Sequence, residues 1–374
     1  MNLHERYQSR FANTHRNSLL PLSTQARGEI AWKQIYDGGT YGGDVIIFSW
    51  GELVLVVTLT QIHALNQDGR ELWTISKWYS SPVVIAEGQL WYQHPSGFLS
   101  SLDREGKITH DTDSFPGVYG EADHTELLFP RKWDFIASVY NLNQRDHDEM
   151  TGINLSGDPE ITILKNEYGS RVSAFVKTYI RASAVPPLFS PESSIVSLLS
   201  VAGITRIDIS GKKEDKTFLV PCHELVEWSI LENGHYCFIG YDDNHKMIVT
   251  AVTRDGEILW RYDGIAMGDT WIIHPPVTWP KSQVYVLTDH RVLAIDRGEL
   301  LWEYVYPEPH ETGYACSLSD GSLLIAHGTT FSHLNEQGNI LFSMILDPNI
   351  IGQPTVSENG SIFVATHTEI VCVK

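Results

Sequence analysis

Short runs of alternating apolar and polar residues recur along this chain, and each run ends in a turn. One begins Ala64-Leu65, turns at Asn66-Gln-Asp-Gly69 and continues as Arg70-Glu-Leu-Trp73. Period-two alternation over five or six residues predicts a strand. The Asn/Asp…Gly turn predicts a hairpin, because the polar side chain bonds the turn backbone and glycine takes a positive φ without steric cost. The unit recurs as Ala251-Val-Thr-Arg-Asp-Gly-Glu-Ile-Leu-Trp260, Ala294-Ile-Asp-Arg-Gly-Glu-Leu-Leu-Trp302 and His333-Leu-Asn-Glu-Gln-Gly-Asn-Ile-Leu-Phe342. Weaker copies surround Gly106, Gly157 and Gly211.

The marker glycines are Gly28, Gly69, Gly106, Gly157, Gly211, Gly256, Gly298 and Gly338, spaced 37 to 54 residues apart. Two further short strands precede most copies, such as Pro82-Val-Val-Ile85 and Gln89-Leu-Trp91. Four short strands per unit at this period predict an all-β fold, an eight-bladed β-propeller of four-stranded antiparallel blades. The two ends of the chain are complementary. The last unit, Ile362 to Lys374, has no fourth strand, whereas Gly28-Glu-Ile-Ala-Trp32 is a fourth strand with nothing before it. Pairing them satisfies an exposed edge, so the ring is expected to close with the strand at about 28–32 completing the C-terminal blade. Residues 1–22 are expected as a flexible tail and residues 23–374 as one propeller domain.

The Ala-x-[Asp/Asn]-x-x-Gly-x-x-[Leu/Ile]-Trp units resemble the tryptophan-docking repeats of the quinoprotein (PQQ-like) propeller superfamily. The resemblance covers about residues 24–374. Trp32, Trp73, Trp260, Trp302 and Phe342 hold the aromatic position, His110 and Ile161 replace it, and the unit at Gly211 is degenerate. The resemblance implies that these aromatics wedge between neighbouring blades. It also implies that a quinone-dependent dehydrogenase would carry two adjacent cysteines. Cys222, Cys237, Cys316 and Cys372 are all separate, so such a dehydrogenase is not expected.

Charge and composition narrow the partners. The chain has 374 residues, and 27 basic against 46 acidic residues leave −19. Such a field repels phosphate backbones and anionic lipid surfaces, which argues against nucleic acid and membranes as partners. Scattered cysteines suit buried reduced thiols rather than a disulfide framework or zinc site, and no cofactor or resident metal is expected. The segment MNLHERYQSRFANTHRNSLLPL lacks the apolar core of a secretory signal, which gives a cytoplasmic expectation. A monomer is expected.

Candidate chemistry falls on one face, that of the turns joining second and third strands. Six of these turns carry histidine: His94, His147, His245, His290, His327 and His367. Two add carboxylates, Asp146 with Asp148 and Asp242 with Asp243. Imidazoles and carboxylates together suit a divalent metal or acid–base work on a sugar acid. In turns they also serve as ordinary solvated residues. Trp78 and Trp271 lie in blade-to-blade connections of the same face and suit a peptide or sugar. The long connection at 163–185 is basic, with Lys165, Arg171, Lys177 and Arg181. The leading expectation is a non-catalytic scaffold binding a protein or peptide through loops on one face. A polysaccharide-lyase-like enzyme using the His/Asp turns is the alternative, and a small-ligand sensor using the central channel is the third.

Overall fold

A computed structural model describes residues 7–8, 19–20, 22–36, 45–77, 83–86, 88–93, 99–111, 124–128, 135–140, 149–153, 162–163, 188–190, 195–200, 203–208, 213–231, 234–265, 276–278, 283–310 and 313–374. Within them the strands form eight sheets, numbered here in order along the chain, each built on four antiparallel strands. The first sheet is representative: Ile46–Trp50, Leu53–Val57, Gln61–Leu65 and Glu71–Ser76 pair in sequence order. The eighth takes Thr355–Val356, Ile362–Ala365 and Glu369–Val373 from the C-terminus, and its outermost strand is Ile30–Ile35. Trp32 is registered against Cys372 and Ile35 against Glu369 in that pairing. The backbones of Glu29 and Lys374 exchange hydrogen bonds of 2.8 and 3.0 Å.

Burial grades across each sheet. Second and third strands such as Leu53–Val57 and Met247–Val252 are buried throughout. Fourth strands such as Glu71–Ser76 and Ile340–Ile345 alternate exposed and half-buried positions. First strands of neighbouring sheets converge. Val277–Thr278 lies against Gly313–Leu318, and Thr355–Val356 lies against Ile46–Trp50. Side chains stitch this inner zone. Ser229 Oγ donates to the Pro276 carbonyl at 3.0 Å, and Ser317 Oγ donates to the Thr278 carbonyl. Apolar clusters fill the spaces between sheets, as where Val54, Val56 and Ile47 meet Phe363, Ile370 and Cys372.

The repeat motif acts between sheets. In the turn at Asn66 the side-chain Oδ1 accepts from the amides of Asp68 and Arg70, and the Asn66 carbonyl accepts from Gly69. Gly69 (φ +82°) ends this turn beside a register shift in the strand pair, the form of a three-residue hairpin with a bulge. Trp32, on the preceding sheet, lies on that glycine. A methyl group added to Gly69 would sit 2.8 Å from Trp32 Cδ2, so only glycine fits. The indole N–H of Trp32 donates to the Gln67 carbonyl at 2.8 Å. Trp73 docks on Gly106 and bonds the Arg104 carbonyl, and Trp302 docks on Gly338 and bonds the Glu336 carbonyl. Phe342 docks on Gly28.

Two substitutions inside the motif are compensated. The residue paired with the docking aromatic is small in three sheets: Ala64 with Trp73, Ala251 with Trp260, and Ala294 with Trp302. In the seventh sheet the aromatic is the smaller Phe342, and its partner is the larger His333. In the degenerate fourth sheet Phe218 pairs with Ile204, and the position before the register shift, paired with Lys216, is held by Arg206. Its Nη1 donates to the Arg254 carbonyl at 2.7 Å, two residues before Gly256, where an indole N–H donates elsewhere. Phe218 supplies the ring against Gly256. That unit is therefore degenerate in sequence but keeps both contacts. The expected docks at His110 and Ile161 involve side chains outside the described residues, as does the connection at 163–185 beyond Ile163.

Of the segment expected as a free tail, two pieces are paired strands. Tyr7–Gln8 runs antiparallel to Val83–Ala86, and Leu19–Leu20 runs parallel to Gly313–Leu318. Leu20 is 2% exposed and packs with Cys316, Leu318 and Leu324. The bonded part of the chain thus starts before residue 23, because the Leu20 side chain is removed from water here as it would not be in a free tail.

The compensation at His333 makes a prediction. Both its ring nitrogens are buried without a hydrogen-bond partner. His333→Ala alone opens a cavity, and Phe342→Trp alone overfills the same space, each destabilising by about 1–3 kcal/mol. The double variant restores the Ala–Trp pair and is expected to melt at or above the parent temperature. Additive losses in a thermal double-mutant cycle would refute the account.

Candidate functional site

The turns joining second and third strands in the first, sixth and eighth sheets share a construction. A threonine closes them: Thr58 Oγ1 accepts from the Gln61 amide, Thr288 Oγ1 from His290 and Arg291, and Thr366 Oγ1 from Glu369. Four residues beyond a docking tryptophan, the departing chain tucks under its own turn. The Tyr36 amide donates to Thr368, Lys77 to Thr60, and Tyr306 to His290. Tyr36 then bonds the Thr366 carbonyl through its hydroxyl, and Lys77 bonds the Leu59 carbonyl through Nζ. Burial lowers the Lys77 ammonium to about 8.

The seam between the sixth and seventh sheets departs from this pattern twice. At the threonine position of the seventh sheet stands His327, paired with Thr330. Tyr306 turns away from its own sheet and lies flat on His327, ring centroids 3.6 Å apart and 16° from parallel. His310 meets His327 edge-on at 5.8 Å, and its Nε2 lies 3.3 Å from Asn349 Nδ2. The backbone at Asp289 and His310 favours the charged form of the His327 ring. The ring's Nε2 is buried without a partner, as is the Tyr306 hydroxyl. His327 and Tyr306 are 4% and 6% exposed. Burial, helped by the neighbouring His310, lowers His327 to about 4, outweighing the opposing pull of the Asp289 and His310 backbone and of the Asp289 carboxylate.

Of the residues singled out from sequence, the structure links three through this seam. His290 sits 3.5 Å from the Asp289 carboxylate, and the Asp289 carbonyl accepts from the His310 amide. His367 donates its amide to the Asn349 carbonyl. They are joined through Asp289, His310 and Asn349, which the sequence reading passed over. Nothing in the pattern distinguishes a connection residue such as His310 from a solvated one. Among the described residues no group of three or more His, Cys, Asp or Glu side chains is placed to hold a metal ion.

Asp242, Asp243 and His245 form a separate turn on the fifth sheet. Asp242 Oδ1 accepts from the amides of Asn244 and Lys246, and its carbonyl accepts from His245. This repeats the Asn66 turn, with His245 (φ +57°) in the position glycine holds there. The amide of Lys246, then that of Asn244, and Arg261 at 2.9 Å hold the Asp242 carboxyl below its ordinary range. Asp242 therefore shapes the turn, while Asp243 and His245 face solvent near His223. Trp78, His94, Asp146, His147, Asp148 and Trp271 lie outside the described residues.

No protein-family model and no curated protein sequence matches the chain. Solved structures do. A europium-containing methanol dehydrogenase, 11% identical, aligns over 95% of this chain and 88% of its own with a TM-score of 0.63. BamB from Moraxella catarrhalis, 14% identical, aligns over 89% and 82% with a TM-score of 0.40. A catalytically inactive virginiamycin B lyase from Staphylococcus aureus with quinupristin, 10% identical, aligns over 92% and 99% with a TM-score of 0.47. The first of these carries the fold, a β-propeller.

The neutral His327 gives stability a pH dependence of known sign. An unfolded histidine takes up its proton near 6.5, and the folded one does so only near 4. Stability is complete above 6.5 and falls as the pH drops toward 4, by up to about 3 kcal/mol from this residue. His333 and His235, both lowered by burial, act in the same direction. His327→Phe keeps the stack on Tyr306 and removes the titration. Its melting temperature relative to the parent is expected to rise steadily between pH 6.5 and 4.5. A difference independent of pH would disprove the assignment.

Proposed function

We propose that the eight sheets are the blades of one closed ring, and that the ring is a non-catalytic scaffold. Its partner is a protein or peptide, bound on the face that carries the second-to-third-strand turns. Support for closure comes from docks of Phe218, Trp302, Phe342, Trp32 and Trp73 on glycines of the next sheet, with the chain at Trp260–Arg261 meeting Gly298 between the fifth and sixth. The eighth sheet, shared between the two chain ends, lies inside that series.

One observation carries the binding reading. At the seam of the sixth and seventh sheets two stacked, buried rings each present a polar atom without a partner. Leaving such an atom unsatisfied costs about 1–3 kcal/mol. A peptide amide has the matching groups, an N–H for Nε2 of the neutral His327 and a C=O for the Tyr306 hydroxyl, and it reaches them by displacing what covers these two buried atoms. The same geometry bears on the alternative of a lyase-like enzyme. A general base works best when its pKa lies near the operating pH, and His327 near 4 is far weaker than that. Recognition by hydrogen bonding fits better than proton abstraction. Quinone-dependent dehydrogenation is also set aside, because Cys237 and Cys316 are buried in different sheets and all four cysteines are free. Free thiols suit a reducing compartment such as the cytoplasm.

Closure has a direct check. A chain lacking residues 1–35 loses the outer strand of the eighth sheet and should aggregate or lose cooperative unfolding. A chain lacking residues 1–18 keeps Leu20 and should stay within a few degrees of the parent melting temperature. Equal stability of both deletions would exclude the closed ring.

Binding is tested with Tyr306→Phe/His327→Phe, which keeps the stacked shape and removes both polar atoms. Cross-linked partners recovered from the native host with the parent chain are expected to fall at least tenfold with the double variant, with no loss of melting temperature. An unchanged set of partners would count against this face.

A further inference from the structure

The inner edges of two sheets carry an occupant that the other six lack among the described residues. The second sheet gains a fifth strand where Tyr7 and Gln8 pair with Ala86 and Ile85. The seventh gains one where Leu19 and Leu20 pair with Ser317 and Leu318. Both additions are on the first strand, the edge opposite the exposed fourth strand, where neighbouring sheets converge. The second and seventh sheets are not neighbours: the docks place the eighth and first between them. Eleven steps of chain separate Gln8 from Leu19, a reach of up to about 38 Å when extended. One short segment therefore engages two non-adjacent inner edges.

The two contacts differ in kind. Leu20 is a true anchor, buried among Cys316, Leu318 and Leu324, and Leu22 continues it by accepting from the Ser319 amide at 2.9 Å. Tyr7–Gln8 is held through a two-residue ladder, and each backbone bond is worth only about 0.5–1.5 kcal/mol net. Charge favours the arrangement as well. Residues 1–22 contain Arg6, Arg10 and Arg16 against the single Glu5, in a chain whose total is −19. A cationic strand is drawn to such a ring, and an anionic one is repelled.

We propose that the first strands Val83–Ala86 and Gly313–Leu318 form a strand-accepting site for an extended basic peptide anchored by a leucine, and that Tyr7–Gln8 and Leu19–Leu20 are its resident occupants. Main-chain bonds at the sheet edge supply affinity, and the leucine pocket beside Cys316 supplies specificity, as in other strand-addition sites. A partner segment of the same chemistry binds by displacing the resident one. The site lies on the inner edges, apart from the turn face of the Tyr306–His327 seam, and does not depend on it. It also differs from an open channel awaiting a small ligand, since the inner edges already hold chain.

The test uses the full-length protein and a fluorescein-labelled synthetic peptide of residues 1–22, followed by fluorescence anisotropy. Weakening the resident segment should open the site. The Leu20→Asp chain is expected to bind the peptide at least tenfold more tightly than the parent chain, and a peptide carrying the same Leu20→Asp change should bind neither. Should the Leu20→Asp chain fail to fold, Gln8→Pro removes a ladder donor without touching the core and should tighten peptide binding at least threefold. Equal affinity of parent and weakened chains, or equal binding by the altered peptide, would overturn the proposal. The Tyr306→Phe/His327→Phe chain should bind the peptide as the parent does. Loss of binding there would merge the two surfaces and also overturn it.

Discussion

Everything in this fold depends on an aromatic ring of one sheet lying on a glycine of the next. The glycine is required twice over. Its positive φ closes the hairpin turn, and its missing side chain lets the ring approach to a distance that excludes a methyl group. The ring then covers the turn, and in Trp32, Trp73 and Trp302 the indole N–H bonds the carbonyl two residues before that glycine. Each dock therefore fixes both the separation and the orientation of neighbouring sheets. A sheet of four short strands has little stability alone. Repeating one dock converts several such sheets into a continuous stack.

Departures from the repeat show which part of the dock matters. Where the ring is smaller, its cross-strand neighbour is larger, as with Phe342 and His333. Where no tryptophan is present, Arg206 supplies the donor and Phe218 supplies the ring. Volume is kept at Phe342 and the hydrogen bond at Arg206, and residue identity is kept at neither. Close packing explains this, since an interior tolerates exchange when total volume and polar satisfaction are kept.

The same framework accounts for where chemistry can reside. Second and third strands are buried, so they hold the frame and leave function to the turns and connections. The second-to-third-strand turns of the first, sixth and eighth sheets close on themselves through a threonine. The seventh sheet has His327 there instead, and the neighbouring connection places Tyr306 against it, so two polar atoms stay buried and unsatisfied. Burial keeps the imidazole neutral, which suits recognition. The inner edges offer a second kind of surface, open to strand addition and partly filled by the chain's own beginning.

Much of this was legible in the sequence. Alternation, Asn/Asp…Gly turns and the aromatic four residues later identified the strands, the repeat and the docks, because each depends on local chemistry and a fixed spacing. The pairing of Ile30–Ile35 with Glu369–Val373 was legible too, since each end visibly lacked what the other held. The site was not legible in the same way. His290, His327 and His367 could be named, but their link through Asp289, His310 and Asn349 joins residues up to 78 positions apart. Asp242 and His245 read as ligands yet serve a turn, because a glycine position filled by histidine looks in sequence like chemistry. Leu19–Leu20 read as tail, since two leucines carry no period. Local pattern determined the strands and docks; which side chains lost their partners on burial was decided only when separate sheets came together.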